Sequence, residues 1–342
     1  MKTIWESTEI VDNEGKRIQA IAPVIISASR STDIPAFFSE WFLDRLQKGY
    51  VKWINPFNQA PVYVSFKNTR VIIFWTKNPF PLMKRLHEID AKGINYYFQF
   101  TLNDYEKEGL EPHLPPLKDR INTFVELSRR LGRERVVWRF DPLILVPPIT
   151  VQGLLQKIKR LSEGLIENTD KLVVSFVDIR DYQKVQRNLI KELPDVFNKS
   201  NVLNTEFTDD QKIEFGQGIQ NLINQWRKVN PAFTVGSCAE TVDLERFGIL
   251  HNKCIDDDLL IKVFVKDRTL MDFIGYTSEG NLGLFGKEKR NLKDKGQRKA
   301  CGCIISKDIG MYNTCGHLCV YCYANASKKL AIENARKFYV QV

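Results

Sequence analysis

Six short runs of apolar, β-branched or aromatic residues recur along this chain, and each is followed by a stretch with helical spacing. The strand candidates are Pro23–Ser29, Val71–Thr76, Tyr96–Leu102, Val136–Phe140, Leu172–Val177 and Phe233–Cys238. The helix candidates are Ala36–Lys48, Pro79–Ile89, Leu117–Leu131, Val151–Glu163, Asp181–Lys191 and Asp209–Val229. Pro35 and Pro79 stand at or just before a first helical turn, where proline is tolerated. Gly132 follows the third helix as a terminator. Strands alternating with helices imply a parallel sheet with right-handed crossovers. Six units favour a (β/α) barrel, complete or partial, over a flat doubly wound sheet. The stretch Trp53–Phe66 adds a short hairpin.

At 342 residues the chain is long enough for a large core. Such barrels run to roughly 250 residues as one domain. The expected organisation is a barrel body over 1–264, a basic linker over 265–300 and a C-terminal strand–loop–helix unit over 301–342 that completes the barrel. The start, Met1 to Ile18, lacks the apolar core of a signal peptide. No stretch of about 18 apolar residues occurs anywhere. The expectation is a cytoplasmic protein with no membrane partner. Net charge is +9, which fits either a solvated Lys/Arg surface or a polyanionic partner such as nucleic acid. The densest basic run, Lys287–Lys299, has mixed charge and no aromatics, as a solvated linker would.

The strand candidates all end in polar groups. They read Ser27–Asp33, Thr76-Lys77-Asn78, Gln99–Asn103, Arg139-Phe140-Asp141, Ser175–Asp178 and Ser237–Glu240. Alternate residues of a strand share a face, so Gln99, Thr101 and Asn103 point one way, as do Arg139 and Asp141. In a parallel barrel the site lies at the C-terminal strand ends. A lined polar pocket is expected there, with Lys77, Arg139, Asp141 and Glu240 as candidate catalytic residues. An Arg139–Asp141 pair serving only structure is the competing reading. There is no Ser-His-Asp arrangement and no G-x4-G-K-[ST] phosphate loop.

Seven cysteines are present, five of them between 301 and 322, and only four histidines. An odd number without an export signal argues for reduced thiols or metal ligands rather than disulfides. Thiolate-dominated sites favour iron–sulfur or zinc. Cys315, Cys319 and Cys322 form C-x3-C-x2-C, with Tyr321 before the last cysteine. Three thiolates on one loop can hold three irons of a [4Fe–4S] cluster and leave the fourth open to a small molecule. Cys301 and Cys303 form C-x-C, and Cys238 and Cys254 lie upstream. These four either complete a second site, a [4Fe–4S] cluster or a tetrahedral zinc, or Cys238 and Cys254 are small buried apolar residues. His317 reads as a ligand, a proton donor or, by default, a loop residue without a role.

The run Cys301–Asp308 reads as a strand, and Tyr323–Tyr339 has helical spacing. This strand–cysteine loop–helix unit resembles the opening unit of radical S-adenosylmethionine enzymes. There it usually starts the barrel; here it closes the chain, as in a permuted barrel. The whole chain is also similar to an uncharacterised microbial family classed as a domain of unknown function. The matching residues are Ser27–Asp33, Trp75–Pro79, Trp138–Pro142, Cys238-Ala239-Glu240 and the terminal cysteine motifs.

The first resemblance implies that Cys315, Cys319 and Cys322 ligate a cluster and that S-adenosylmethionine chelates its open iron. It implies cleavage to a 5′-deoxyadenosyl radical, with Tyr321 near the adenine and a reductant protein such as flavodoxin or ferredoxin. The usual glycine-rich, glutamate-containing strand for the methionine end is not obvious; Ser29, Arg30, Ser31, Thr32 and Asp33 stand in its place. The substrate is unnamed, with nucleic acid one option. The alternative is a non-enzymatic, metal-stabilised module that binds nucleic acid, with all the cysteines on zinc or a closed cluster. A third reading is an electron-transfer protein with the barrel as scaffold.

Overall fold

The first two strands, β1 (Glu6–Val11) and β2 (Arg17–Ala22), form an antiparallel hairpin in a computed structural model that describes residues 4–276 and 291–340, with side chains up to 337. Then follow β3 (Ile25–Ala28), α1 (Ile34–Phe37), α2 (Ser39–Lys48), β4 (Tyr50–Ile54), β5 (Pro61–Ser65) and β6 (Val71–Thr76). The short helices α3 (Phe80–Met83) and α4 (Leu86–Asp90) lead to β7 (Asn95–Thr101), α5 (Leu117–Leu131) and β8 (Val136–Leu143). The chain continues through α6 (Val151–Leu165), β9 (Lys171–Phe176), α7 (Gln183–Glu192), α8 (Asp209–Val229) and β10 (Thr234–Ser237). It ends with β11 (Ile249–His251), α9 (Asp257–Phe264), α10 (Arg268–Ile274), β12 (Lys307–Asp308) and α11 (Lys328–Val340).

The architecture is mixed α/β. Eight strands form one sheet in the order β11-β10-β9-β8-β7-β6-β3-β12, and every pair in it is parallel. Parallel strands need both faces covered, which explains their near-continuous apolar sequences. On one face Ile26, Ile72, Phe74, Phe98, Trp138 and Leu172 pack against the helices. On the other, Ile25, Ile73, Tyr97, Val137 and Val173 form a separate core with residues of α9 and α10. A sheet with an enclosed second core is barrel-like. The remaining strands make a small sheet, β1-β2-β5-β4.

Sequence signals set most boundaries. Asp33 caps α1 through Ala36 N–H, with Pro35 in the first turn. The Thr208–Gln211 capping box starts α8. Gly132 ends α5 with φ 92°, a backbone state that disfavours side chains. The expected helix Ala36–Lys48 begins earlier and breaks at Phe38, and Pro79–Ile89 is likewise two short helices. The hairpin expected at Trp53–Phe66 is β4–β5.

The run Cys301–Asp308 departs from expectation: only Lys307 and Asp308 pair with β3. Its earlier polar groups are bonded elsewhere, Ile304 N–H to Ile255 O at 3.1 Å and Cys303 O to Asp294 N–H at 2.9 Å. The last helix starts at Lys328 rather than Tyr323. Of the basic run Lys287–Lys299, residues 287–290 lie outside the described residues. No described helix is long and apolar enough to cross a membrane.

Candidate active site

Because all eight strands run the same way, their C-terminal ends meet on one side of the sheet. The segments that leave them line a single cavity of about 1410 Å³. Its walls include Ser29–Asp33 after β3, Thr76 and Lys77 at the end of β6, Arg139 and Asp141 on β8, Asp178 after β9, and the loop after β12. All seven cysteines line it.

The loop after β12 is tied to the loop after β3 by two carboxylates. Asp308 accepts from Ser27 Oγ at 2.8 Å, Ser29 Oγ at 2.7 Å, and the N–H groups of Arg30 and Gly310, both at 2.9 Å. Asp33 Oδ2 accepts from Lys77 N–H and lies on His317 Nε2, both at 2.7 Å. All three residues meet although 284 positions separate Asp33 from His317. His317 is buried, so it is a structural partner of Asp33 rather than an idle loop residue. The cysteine loop itself turns at Asn313 (φ 58°) and Leu318 (φ 53°), left-handed positions that a tertiary frame must hold.

A second polar cluster lies beneath the cysteine loop. Lys77 Nζ donates to Glu111 Oε1 at 2.7 Å and Tyr321 Oη at 3.0 Å. Asn103 Nδ2 reaches the same Glu111 oxygen at 3.0 Å, and Tyr321 Oη also donates to it. Burial works to raise the Glu111 carboxyl, but Lys77, Tyr321 and Arg120 outweigh it and hold it below its usual range. Burial likewise opposes the Lys77 charge, and Glu111 with Cys319 reverses that, so Lys77 stays charged. Glu111 was invisible in the sequence: it stands in an irregular loop, with no periodicity or motif.

Cys315, Cys319 and Cys322 are carried on this frame. Burial pushes the Cys315 thiol up to about 12 and raises Cys319 and Cys322 as well. These three thiols are half-buried at the cavity wall, and in this state they ionise readily only with a cation among them, which suits a metal. Several cavity-lining polar atoms are buried with no hydrogen-bond partner: one Arg30 Nη, Thr32 Oγ1, Trp75 Nε1 and His317 Nδ1. Buried polar groups are ordinarily satisfied, so this set fits a bound polar ligand.

The other four cysteines also meet. Cys238 Sγ and Cys254 Sγ are 2.8 Å apart. Cys303 Sγ accepts from Cys254 N–H at 3.2 Å and also contacts Cys301. Arg139 Nη1 donates to Cys254 Sγ at 2.9 Å and to Gln99 Oε1 at 3.2 Å, while Nη2 pairs with Asp141. Its hydrogen bond from Cys254, and then Arg139, draw Cys238 down to about 6 against burial. Arg30 and Arg139 each lie 5.1 Å from the Trp75 ring centroid.

Of the candidates from the sequence, Lys77, Arg139, Asp141, residues 29–33, Tyr321 and every cysteine line the cavity. Glu240 does not: its carboxylate turns to Lys212 of α8 at 3.2 Å and caps Thr241 and Val242. Its place just past the last long strand end suggested the pocket, but a local turn claims the side chain. Tyr321 is anchored by Glu111 and Lys77 under the loop.

A family described as "Domain of unknown function (DUF1848)" matches residues 25–324. No curated protein matches. Among solved structures, a "putative alpha-L-fucosidase" from Bacteroides thetaiotaomicron is 12% identical, covering 81% of this chain and 89% of that one. Its TM-score of 0.23 is too low to carry any argument.

Proposed function

The chain belongs to the DUF1848 family, and we propose that it is an iron–sulfur enzyme of the radical S-adenosylmethionine kind acting on an anionic substrate. One observation carries the reading: the C-x3-C-x2-C loop and the Ser29–Asp33 segment face the same large cavity at the C-terminal end of a parallel sheet. Cys315, Cys319 and Cys322 would hold three irons, leaving one for S-adenosylmethionine. When bound, that cluster supplies a single electron to the sulfonium ligand.

The chain's own residues do the rest. Asp33 and Asp308 hold the two loops in register, so the thiols and the Ser29–Asp33 segment keep a constant separation. Arg30, Thr32 and Trp75 offer buried donors to the ligand's polar groups. Lys77 provides positive charge beside Cys319, which offsets the thiolates. Aromatic walls such as Trp75 and Tyr321 exclude water from a reactive species.

Seven basic side chains line the cavity (Arg30, Lys77, Arg139, Arg180, Lys184, Arg187, Arg298) against four aspartates (Asp33, Asp141, Asp178, Asp181). Exposed Tyr182, Tyr312 and Tyr323 stand at its rim. Positive charge with stacking surfaces supports a nucleotide or nucleic-acid substrate.

The test is electron paramagnetic resonance on anaerobically reconstituted, reduced protein with and without S-adenosylmethionine. A reduced-cluster signal that shifts on adding the ligand, and that Cys319→Ala abolishes, is expected. A reduced protein with no ligand-dependent component in its signal would sink the radical chemistry. Bound zinc without iron, with steeply salt-dependent DNA binding, would instead make the protein a binding module.

A further inference from the structure

The sheet has a seam. β11 and β12 are its outer strands, and no ladder joins them among the described residues. One backbone hydrogen bond, Ile304 N–H to Ile255 O, crosses the gap. The four remaining cysteines gather there. Cys238 follows β10, Cys254 lies just past β11, and Cys301 and Cys303 precede β12. They form a continuous chain of contacts from Cys238 through Cys254 and Cys303 to Cys301.

Small buried thiols used only for packing sit among apolar groups. Cys254 and Cys303 belong to the second core, with Cys238 and Cys301 packed against it, yet their sulfurs also face donors. Cys303 Sγ faces the N–H groups of Cys254 and Ile255 at 3.2 and 3.4 Å. Asn252 Nδ2 points at Cys238 and Cys254 from 3.3 and 3.2 Å. The Arg139 guanidinium reaches Cys254 at 2.9 Å. A shell of N–H donors suits anionic sulfur. Four thiolates carry more negative charge than Arg139 and Arg30 can balance, and Arg139 already serves Asp141. A metal core supplies the remainder.

No three cysteine sulfurs lie within 4.8 Å of one another. Cys238 and Cys254, at 2.8 Å, stand closer than the roughly 3.8 Å between the thiolates of a tetrahedral zinc. Either a zinc or an iron–sulfur core parts this pair as it binds.

We propose that Cys238, Cys254, Cys301 and Cys303 hold a closed, all-thiolate metal centre, an iron–sulfur cluster or a zinc, that staples the two edges of the sheet together. This centre is independent of the Cys315 loop. It faces the same cavity, within contact of Arg139, and so fixes one wall of the pocket while contributing no open iron.

Iron, sulfide and zinc are measured per chain, after anaerobic loading with iron and sulfide or with zinc, in three proteins: the native chain, a Cys315→Ala/Cys319→Ala/Cys322→Ala variant, and that variant with Cys301→Ser/Cys303→Ser added. The triple variant is expected to keep one centre, read as a cluster's iron and sulfide or as one zinc, and the quintuple variant to lose it. Hydrogen exchange at Ile304 provides a readout free of substitutions: loading the native protein should slow it by about tenfold or more. A triple variant that takes up neither iron nor zinc, beside a native chain that takes one cluster, would overturn the proposal and leave the open-iron reading standing. A native chain and triple variant that each hold one cluster would support it and sink that reading. One zinc in the triple variant, lost from the quintuple variant, would equally support it and identify the metal.

Discussion

Glu111 and Lys77 make a buried ion pair in which each partner depends on the other. Replacing Glu111 by Gln leaves the lysine charge short of its partner. The expected cost is about 3 kcal/mol, read as a lower denaturant midpoint at pH 7. The sign with pH follows from the depressed Glu111 carboxyl. Its contribution is fully present above the unfolded carboxylate value of about 4.3 and fades as pH falls through the folded value. The gap between native and Glu111→Gln proteins should therefore narrow at pH 3; a constant gap would deny the pair any electrostatic role. His317→Ala leaves Asp33 buried with Lys77 N–H and Ala36 N–H alone. It should cost about 1–3 kcal/mol and weaken metal retention by the adjacent cysteines, measured as iron lost on dilution. At this scale the cysteines, Lys77, Arg139 and Asp141 were legible, because residue type and strand position announce them. Glu111 and the role of His317 were not, because neither stands in a periodic segment.

β12 is only two residues long, so its place beside β3 rests on side chains more than on the ladder. Asp308 accepts three hydrogen bonds across that junction, from Ser27, Ser29 and Arg30. Asp308→Ala should free the edge and speed hydrogen exchange at Ile309, whose N–H reaches Ser27 O at 3.1 Å. Unchanged exchange would show that the ladder suffices. Gly310 packs just as closely: a Cβ there would lie 2.0 Å from Ser29 Oγ and 2.5 Å from Ser29 Cβ. Gly310→Ala should cost about 1–3 kcal/mol through overpacking, seen as a fall in melting temperature. The long strands and helices were legible from apolar runs, caps and Gly132. The hairpin of β1 and β2, and the brevity of β12, were not, since short edge strands depend on what they pair with.

Across the whole molecule, metal sites on two loops and a seam would bind the folded chain in preference to the unfolded one. Reconstituted protein should melt roughly 5 °C or more above protein stripped by a chelator. Equal melting points would mean that the thiols hold no metal in the folded state. The alternation of strand and helix, the parallel sheet it implies and the C-x3-C-x2-C spacing were determined by the sequence alone. Each is a local pattern, set by side-chain periodicity and by the short reach of one loop. The pairing of β12 with β3, the meeting of all seven cysteines around one cavity and the loss of Glu240 to Lys212 were decided only by the tertiary structure. Successive parallel crossovers carry the last strand round to the first, so Ser27 meets Asp308 across 281 positions and Glu111 meets Tyr321 across 210. No local pattern encodes such a contact; it exists only once the intervening strands have packed.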